Sequence, residues 1–178
     1  MSNILYIGTS LDNYIADSNG GLEWLTSLPN PEEEDFGFAE FMASVDALVM
    51  GRNTFETVCG FGGEWPYSKP VFVLSRTLTT LPDSLQEKAA LIQGSPQEVT
   101  RKLNDKGFQR LYIDGGQTIQ SFLEADLIDE IIVSQLPVLL GGGTPLFGDL
   151  TRPLWFELLN SEVLLGAITK HHYRRRRD

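Results

Sequence analysis

Two arginines and a glycine pair close three short apolar runs of this chain: "ALVMGRNT", "VFVLSRTL" and "LYIDGGQT". Each reads as a strand, then a small residue, then polar groups. If the three strands are parallel, their ends lie along one edge of a sheet, and open α/β sheets bind ligands at the carboxyl ends of their strands. Arg52 and Arg76 directly follow two of these runs. A guanidinium is a rigid fork of donors that matches phosphate. Asn53, Thr54 and Ser75 add neutral donors, and Gly115 and Gly116 allow a backbone to come close to a ligand. A helix starting there would present free N–H groups, which favour an anion by geometry and by dipole. The implied ligand carries more than one phosphate, and a nicotinamide dinucleotide with a ribose phosphate fits. The chain has no G-x-G-x-x-G and no P-loop lysine, so convergence of the three ends carries this reading and no single fingerprint does.

A second cluster is acidic. "NPEEEDFGFAEFM" puts Glu32, Glu33, Glu34 and Asp35 ahead of several phenylalanines. Asn30, Pro31 and Glu33 form a plausible helix start, with proline at the first position and glutamate at the third. On that reading Glu32 and Glu33 serve the helix dipole. The apolar face runs Phe38, Phe41, Met42, Val45, and Asp35 and Glu34 both fall close to it at about 100° per residue. Helical geometry leaves these two as rivals for a role in a cleft.

The elements that must position these groups alternate between apolar runs and helical patterns, which argues for an α/β fold. "NILYIGTS", "DALVM", "KPVFVLS", "RLYID" and "DEIIVSQLPVLL" read as strands. "PEEEDFGFAEFMASV", "SPQEVTRKLNDKG" and "QTIQSFLEAD" read as helices, the second with a serine cap, proline at the first position and a closing glycine. "LWFELLNSEVLLGAITKHHYRRR" reads as two extended segments forming an antiparallel hairpin. The expected result is a mainly parallel sheet with an antiparallel edge.

At 178 residues and 42% hydrophobic the chain suits a single domain spanning residues 1–178. Its net charge is −10, and without the last five residues, RRRRD, ten basic against 23 acidic side chains leave −13. Such a body repels nucleic acid and anionic membrane surfaces. Cys59 is the single cysteine, so no internal disulfide forms, and two adjacent histidines with one cysteine make a poor zinc set. No basic leader and no apolar run of membrane-spanning length occurs, and we expect a soluble cytoplasmic protein.

Taken in order, "SLDNYIA", "DALVMGRNTFE", "VFVLSR", "LYIDGGQTIQSFL" and "LIDEIIVSQLPVLLGGGTPLF" resemble the dihydrofolate reductase-like superfamily. Within it they are most similar to the reductase domain of the bifunctional riboflavin-biosynthesis deaminase–reductase and its stand-alone relatives. The resemblance covers roughly residues 3–173. It implies a three-layer fold with a mixed sheet of about eight strands, and NADPH as hydride donor. It implies that Gly51, Arg52, Asn53 and Thr54 meet the cofactor phosphates, and that Ser75 and Arg76 hold the ribose phosphate. Gly115, Gly116, Gln117 and Thr118 would cradle the pyrophosphate, and Ile15 and Ala16 would border the nicotinamide. Asp35 stands at the family's spacing from Gly51, which selects it over Glu34 as the active-site acid, and a half-buried carboxyl near apolar rings is expected to have a raised pKa. Trp24, Asp35 and Phe36 would line the substrate.

Two features depart from dihydrofolate reductases. Lys69 stands in place of the arginine that clamps the folate carboxylate, and the stretch from Trp24 to Asp35 is longer. The resemblance therefore implies a reductase of a small heterocyclic or aminopyrimidine substrate, similar to the 5-amino-6-(5-phosphoribosylamino)uracil reductase of riboflavin biosynthesis, with dihydrofolate or dihydropterin reduction as the runner-up. A dinucleotide-binding protein without turnover is the alternative of another class. The deaminase signature H-x-E with P-C-x-x-C is absent. "LLGGGTPLFG" reads as a sharp loop, and "CGFGGEWPYSK" as a turn or a lining segment. His171 and His172 should point to opposite faces. The basic stretch 174–178 reads as a frayed tail, and the C-terminal strands are the candidate surface for a homodimer.

Overall fold

The strands form where β-branched, leucine and aromatic residues run with few breaks. The computed structural model describes residues 1–177. In chain order the elements are β1 (Ser2–Thr9), β2 (Tyr14–Ala16), α1 (Phe38–Ser44), β3 (Ala47–Gly51), α2 (Arg52–Gly60), β4 (Val71–Leu74), β5 (Ala89–Ile92), α3 (Pro96–Asp105), β6 (Arg110–Asp114), α4 (Gly116–Glu124), β7 (Glu130–Gln135), β8 (Thr144–Pro145), β9 (Phe156–Leu164) and β10 (Ile168–Arg175). Eight strands make one sheet in the order β5-β4-β3-β6-β1-β7-β10-β9, and β2 and β8 make a small second sheet. From β5 to β7 every neighbouring pair is parallel. β10 runs antiparallel to β7, and β9 antiparallel to β10. The mixed, mainly parallel sheet and the closing hairpin are those expected.

Alternation along the central strands builds the three layers. Ala47 and Val49 of β3 face a cluster that includes Val99 and Leu103 of α3 and Ile119 and Phe122 of α4. Leu48 and Met50 face the other side, with Phe41 and Met42 of α1 and Phe55 of α2. A strand buried on both faces reads as a continuous apolar run, as these do. α3 starts as expected. Ser95 accepts from the Glu98 N–H, Glu98 returns the bond to the Ser95 N–H, and Pro96 sits in the first turn. Among the described residues no helix is long and apolar enough to cross a membrane.

α1 corrects one expectation. It begins at Phe38 and not at Pro31. Glu33, Phe36 and Gly37 have positive φ (53°, 59° and 77°), which interrupts any helix through them. Asn30 does cap a turn, but a local one, with its side chain bonded to the Glu34 N–H and C=O.

The expected frayed tail is a second correction. β10 continues through Arg175, whose guanidinium meets Asp126 at 2.7 and 3.0 Å. Arg177 meets Asp129 at 2.6 Å, and Arg174 meets Glu157 at 2.9 Å. The arginines close the end of the sheet over the loop after α4; Asp178 lies outside the described residues. His171 and His172 do diverge, His171 to Ser161 and His172 to Glu130. The Arg175 side chain is only 8% exposed, and replacing it leaves Asp126 with the more exposed Arg152 and Arg177 alone. Arg175→Met should lower unfolding stability by about 2 kcal/mol, read from urea denaturation at neutral pH, with the loss shrinking at acid pH as Asp126 is protonated.

Candidate functional site

β3, β4 and β6 are parallel neighbours on one side of the sheet, and their carboxyl ends open into one cleft of about 980 Å³. Gly51, Arg52, Asn53 and Thr54 line it from the end of β3 and the start of α2. Ser75 and Arg76 line it from the end of β4. Gly115, Gly116, Gln117 and Thr118 line it from the start of α4, and Ile15 and Ala16 from β2. The three strand ends read from the sequence thus meet in space.

Two helices begin side by side in the cleft. Neither α2 nor α4 has a side-chain cap on its first turn, so their first N–H groups remain available to a ligand. Glycines permit the close approach. A Cβ on Gly115 (φ +94°) would stand 2.5 Å from Thr54 Oγ1, and one on Gly51 would stand 2.8 Å from Thr118 Oγ1. Each helix start packs its threonine into the space left by the other's glycine. Arg76 is exposed and has no ion-pair partner among the described residues, whereas Arg52 bonds Glu56 at 2.7 Å and Thr77 at 3.1 Å. The Ser75 hydroxyl accepts from the Thr77 and Leu78 N–H groups, which fixes the turn that carries Arg76.

The loop "LLGGGTPLFG" positions Ile15 and Ala16. A Cβ on Gly143 (φ +129°) would collide with the Ala16 carbonyl, so glycine lets this loop lie directly on β2. Asp12 ties the two segments together. Its carboxylate accepts from Ser10 and from the Leu140 and Gly141 N–H groups, which hold its pKa low, at about 2. The loop is a clamp on β2, which places Ile15 on the cleft wall next to Gly116.

The carboxyl group inside the cleft is Asp114, last residue of β6. Burial pushes its pKa up to about 6, against the lowering effect of the Gly115 N–H that it accepts at 2.9 Å. Tyr67, which also lines the cleft, has its phenol raised by burial and by the nearby Asp114. Sequence reasoning passed over Asp114 as a cleft residue because it reads as the end of a strand. The available signal was a carboxyl directly before the glycine pair. Tyr67 falls in "CGFGGEWPYSK", which therefore contributes to the lining. Gly94 and Ser95, ahead of α3, and Pro96, its first residue, also reach the cleft.

The half-burial and raised pKa expected for Asp35 are corrected. Its side chain is exposed, and its oxygens accept from the Gly37 and Ala39 N–H groups at 2.8 and 3.1 Å. These bonds lower its pKa, opposite to the rise expected. It caps α1, the task first given to its neighbours. Asp35, Trp24 and Phe36 are not among the residues lining the cleft. Trp24 is buried against Leu136 and Ile168. The Phe36 carbonyl accepts from both Tyr6 Oη (2.5 Å) and Lys170 Nζ (2.6 Å), which pins the acidic loop to the sheet. Glu34 is also engaged locally, accepting from the Phe36 N–H. Lys69 sits near Asp46, just before β4 begins, and does not line the cleft.

Comparison with known proteins matches the family and the fold. The RibD C-terminal domain family matches residues 3–168. An uncharacterized protein of Bacillus subtilis, YwjB, is 33% identical over 96% of this chain and 97% of its own length. A crystal structure from Shewanella sp. PV-4, of a protein assigned to riboflavin biosynthesis by name alone, is 53% identical, with a TM-score of 0.97 over 99% of this chain and 100% of that one. The bifunctional diaminohydroxyphosphoribosylaminopyrimidine deaminase/5-amino-6-(5-phosphoribosylamino)uracil reductase of Thermotoga maritima shares the fold. It is 18% identical, with a TM-score of 0.75 over 98% of this chain and 56% of that one. The chain belongs to the RibD C-terminal domain family, which is reductase-like.

Asp114 makes this cleft pH-sensitive. Its folded pKa of about 6 lies above its ordinary 3.8, so the folded state holds the proton more tightly. That contribution is complete below the ordinary value and is lost as pH rises through about 6. Asp114→Asn should therefore gain stability relative to the parent on going from about pH 4 to about pH 7, by on the order of 1–2 kcal/mol. Parallel denaturation curves at the two pH values would contradict the assignment by showing a constant difference.

Proposed function

We propose that this chain is an NADPH-dependent reductase that delivers hydride to a small nitrogen heterocycle of the pterin or aminopyrimidine type. The observation that carries this reading is the meeting of two uncapped helix starts and an unpaired arginine in one cleft. The glycines at 51 and 115 let the two helix starts pack closely against each other, and the uncapped N–H groups of both starts suit a diphosphate. Asn53, Thr54, Gln117 and Thr118 would flank it. Arg76, with Ser75 holding its turn, would take the ribose phosphate, and Arg52 would stand beside it. Ile15 and Ala16 would border the nicotinamide ring, which supplies the hydride.

Asp114 would orient the heterocycle through a hydrogen bond and hold a proton near the accepting atom. A carboxyl that titrates at about 6 can do this near neutral pH. A second reading, dinucleotide binding without turnover, is favoured by the exposure of Asp35 and its capping bonds. The half-buried Asp114 in the cleft favours turnover. Pairing of two copies through β9 belongs to the same proposal. β9 is the outer strand of the sheet, and its Leu158 and Val163 are 53% and 65% exposed, next to Trp155 at 71%. A cytoplasmic setting suits the single cysteine.

Dissociation constants for the two cofactors test the phosphate roles. NADPH should bind about tenfold or more tightly than NADH, and Arg76→Ala should remove most of that difference with little change for NADH. Turnover tests the acid. Asp114→Asn should lower kcat by about a hundredfold at near-normal NADPH affinity, while Asp35→Asn should keep turnover. The reverse pattern would return the role to Asp35.

A further inference from the structure

The cleft is electrically lopsided. Among the described lining residues the basic side chains are Arg52 and Arg76, both at the ends of β3 and β4. Asp114 ends β6 in the cleft with Tyr67 near it, and the lining from β1 and the segment after β2 is Gly8, Leu22 and Leu25. That end offers one carboxyl, one phenol, a backbone surface and aliphatic walls. It is also the end next to Ile15 and Ala16, where the proposed function places the reacting ring.

Among the described residues no further basic side chain lines the cleft. Lys170 donates to the Phe36 carbonyl at 2.6 Å, lies 3.7 Å from Glu162, and is only 17% exposed. Arg110 sits at the opposite, N-terminal end of β6, where it bonds the Ser44 carbonyl. Lys69 lies just before β4 begins, near Asp46. Arg174, Arg175 and Arg177 are paired on the far hairpin. A phosphate monoester taken from water needs paired cations to offset its desolvation. Here it would meet Asp114 in a chain of net charge −10.

We propose that the substrate end of this cleft selects an uncharged nitrogen heterocycle and discriminates against phosphate-bearing substrates. The recognising chemistry is one hydrogen bond between Asp114 and an N–H or ring nitrogen, with Tyr67, Leu22 and Leu25 against the ring faces. Asp114 serves such a ring in either protonation state, as acceptor or as donor. The aliphatic walls favour a flat apolar face and give nothing to a dianion. The reduction then acts on a heterocycle whose phosphate was removed by an earlier hydrolysis or was never attached. This inference rests on the proposed function, because it assigns Arg52 and Arg76 to the cofactor.

The test uses the full chain saturated with NADPH and reads binding by calorimetry. The probes are an aminopyrimidine riboside, its 5′-phosphate, and a set of uncharged pterins. NADPH binding is measured first, and its failure would overturn the proposed function itself. With NADPH bound, an uncharged heterocycle should bind about tenfold or more tightly than the phosphorylated riboside. Its affinity should also change little between low and high salt. Binding of the phosphorylated form as tightly as the riboside or more tightly, or no binding by any uncharged probe, would overturn the proposal.

Discussion

The contact on which the site depends is the reciprocal packing of two helix starts. Thr54 fits the space over Gly115, and Thr118 fits the space over Gly51. The pairing of β3 with β6 sets the two strand ends side by side, with Met50 opposite Asp114. A side chain at either glycine would force the helices apart. Their free N–H groups would then diverge, and the shared anion cradle would be lost. The remaining site features follow from this geometry. β4 adds Arg76 on one flank, and β1 with β2 supplies the apolar wall on the other.

The proposed binding of a polyanion by an acidic chain is consistent once distance is considered. The net charge acts over the whole surface and is screened by salt within about 10 Å. The backbone N–H groups and the two arginines act within hydrogen-bond distance, where dipoles and pairing dominate. The overall charge then disfavours anions wherever the cleft lacks such groups, which is the condition around Asp114 and Leu25. On the proposed function, one sequence would hold a phosphate at one end of the cleft and reject it at the other.

The strand ends were legible because their chemistry is local. A buried parallel strand is an apolar run, and the residues just beyond it must lie at the sheet edge. α3 was legible for the same reason, since serine, proline and glutamate at its start complete a local hydrogen-bond set. The acidic stretch was misread because its decisive feature is a backbone conformation. Glu33 and Phe36 have positive φ without being glycine, and nothing in their side chains announces that. The chain can hold Phe36 there because Tyr6 and Lys170, from strands far apart in sequence, both donate to its carbonyl. The arginine run hid its role similarly. Its partners Asp126 and Asp129 lie nearly fifty residues earlier, and only the fold brings them to β10.

The division of labour among the acids follows from what surrounds each carboxylate. Asp12, Asp35 and Asp126 are held ionised by donors that they satisfy, namely loop N–H groups, the first N–H groups of α1, and an arginine. Such a group is structural, because moving its proton would break the bonds that define it. Asp114 has one backbone donor and a buried setting that opposes its charge. It lines the cleft, and its surroundings do not hold it ionised, which distinguishes a group available for chemistry from one already committed to the fold.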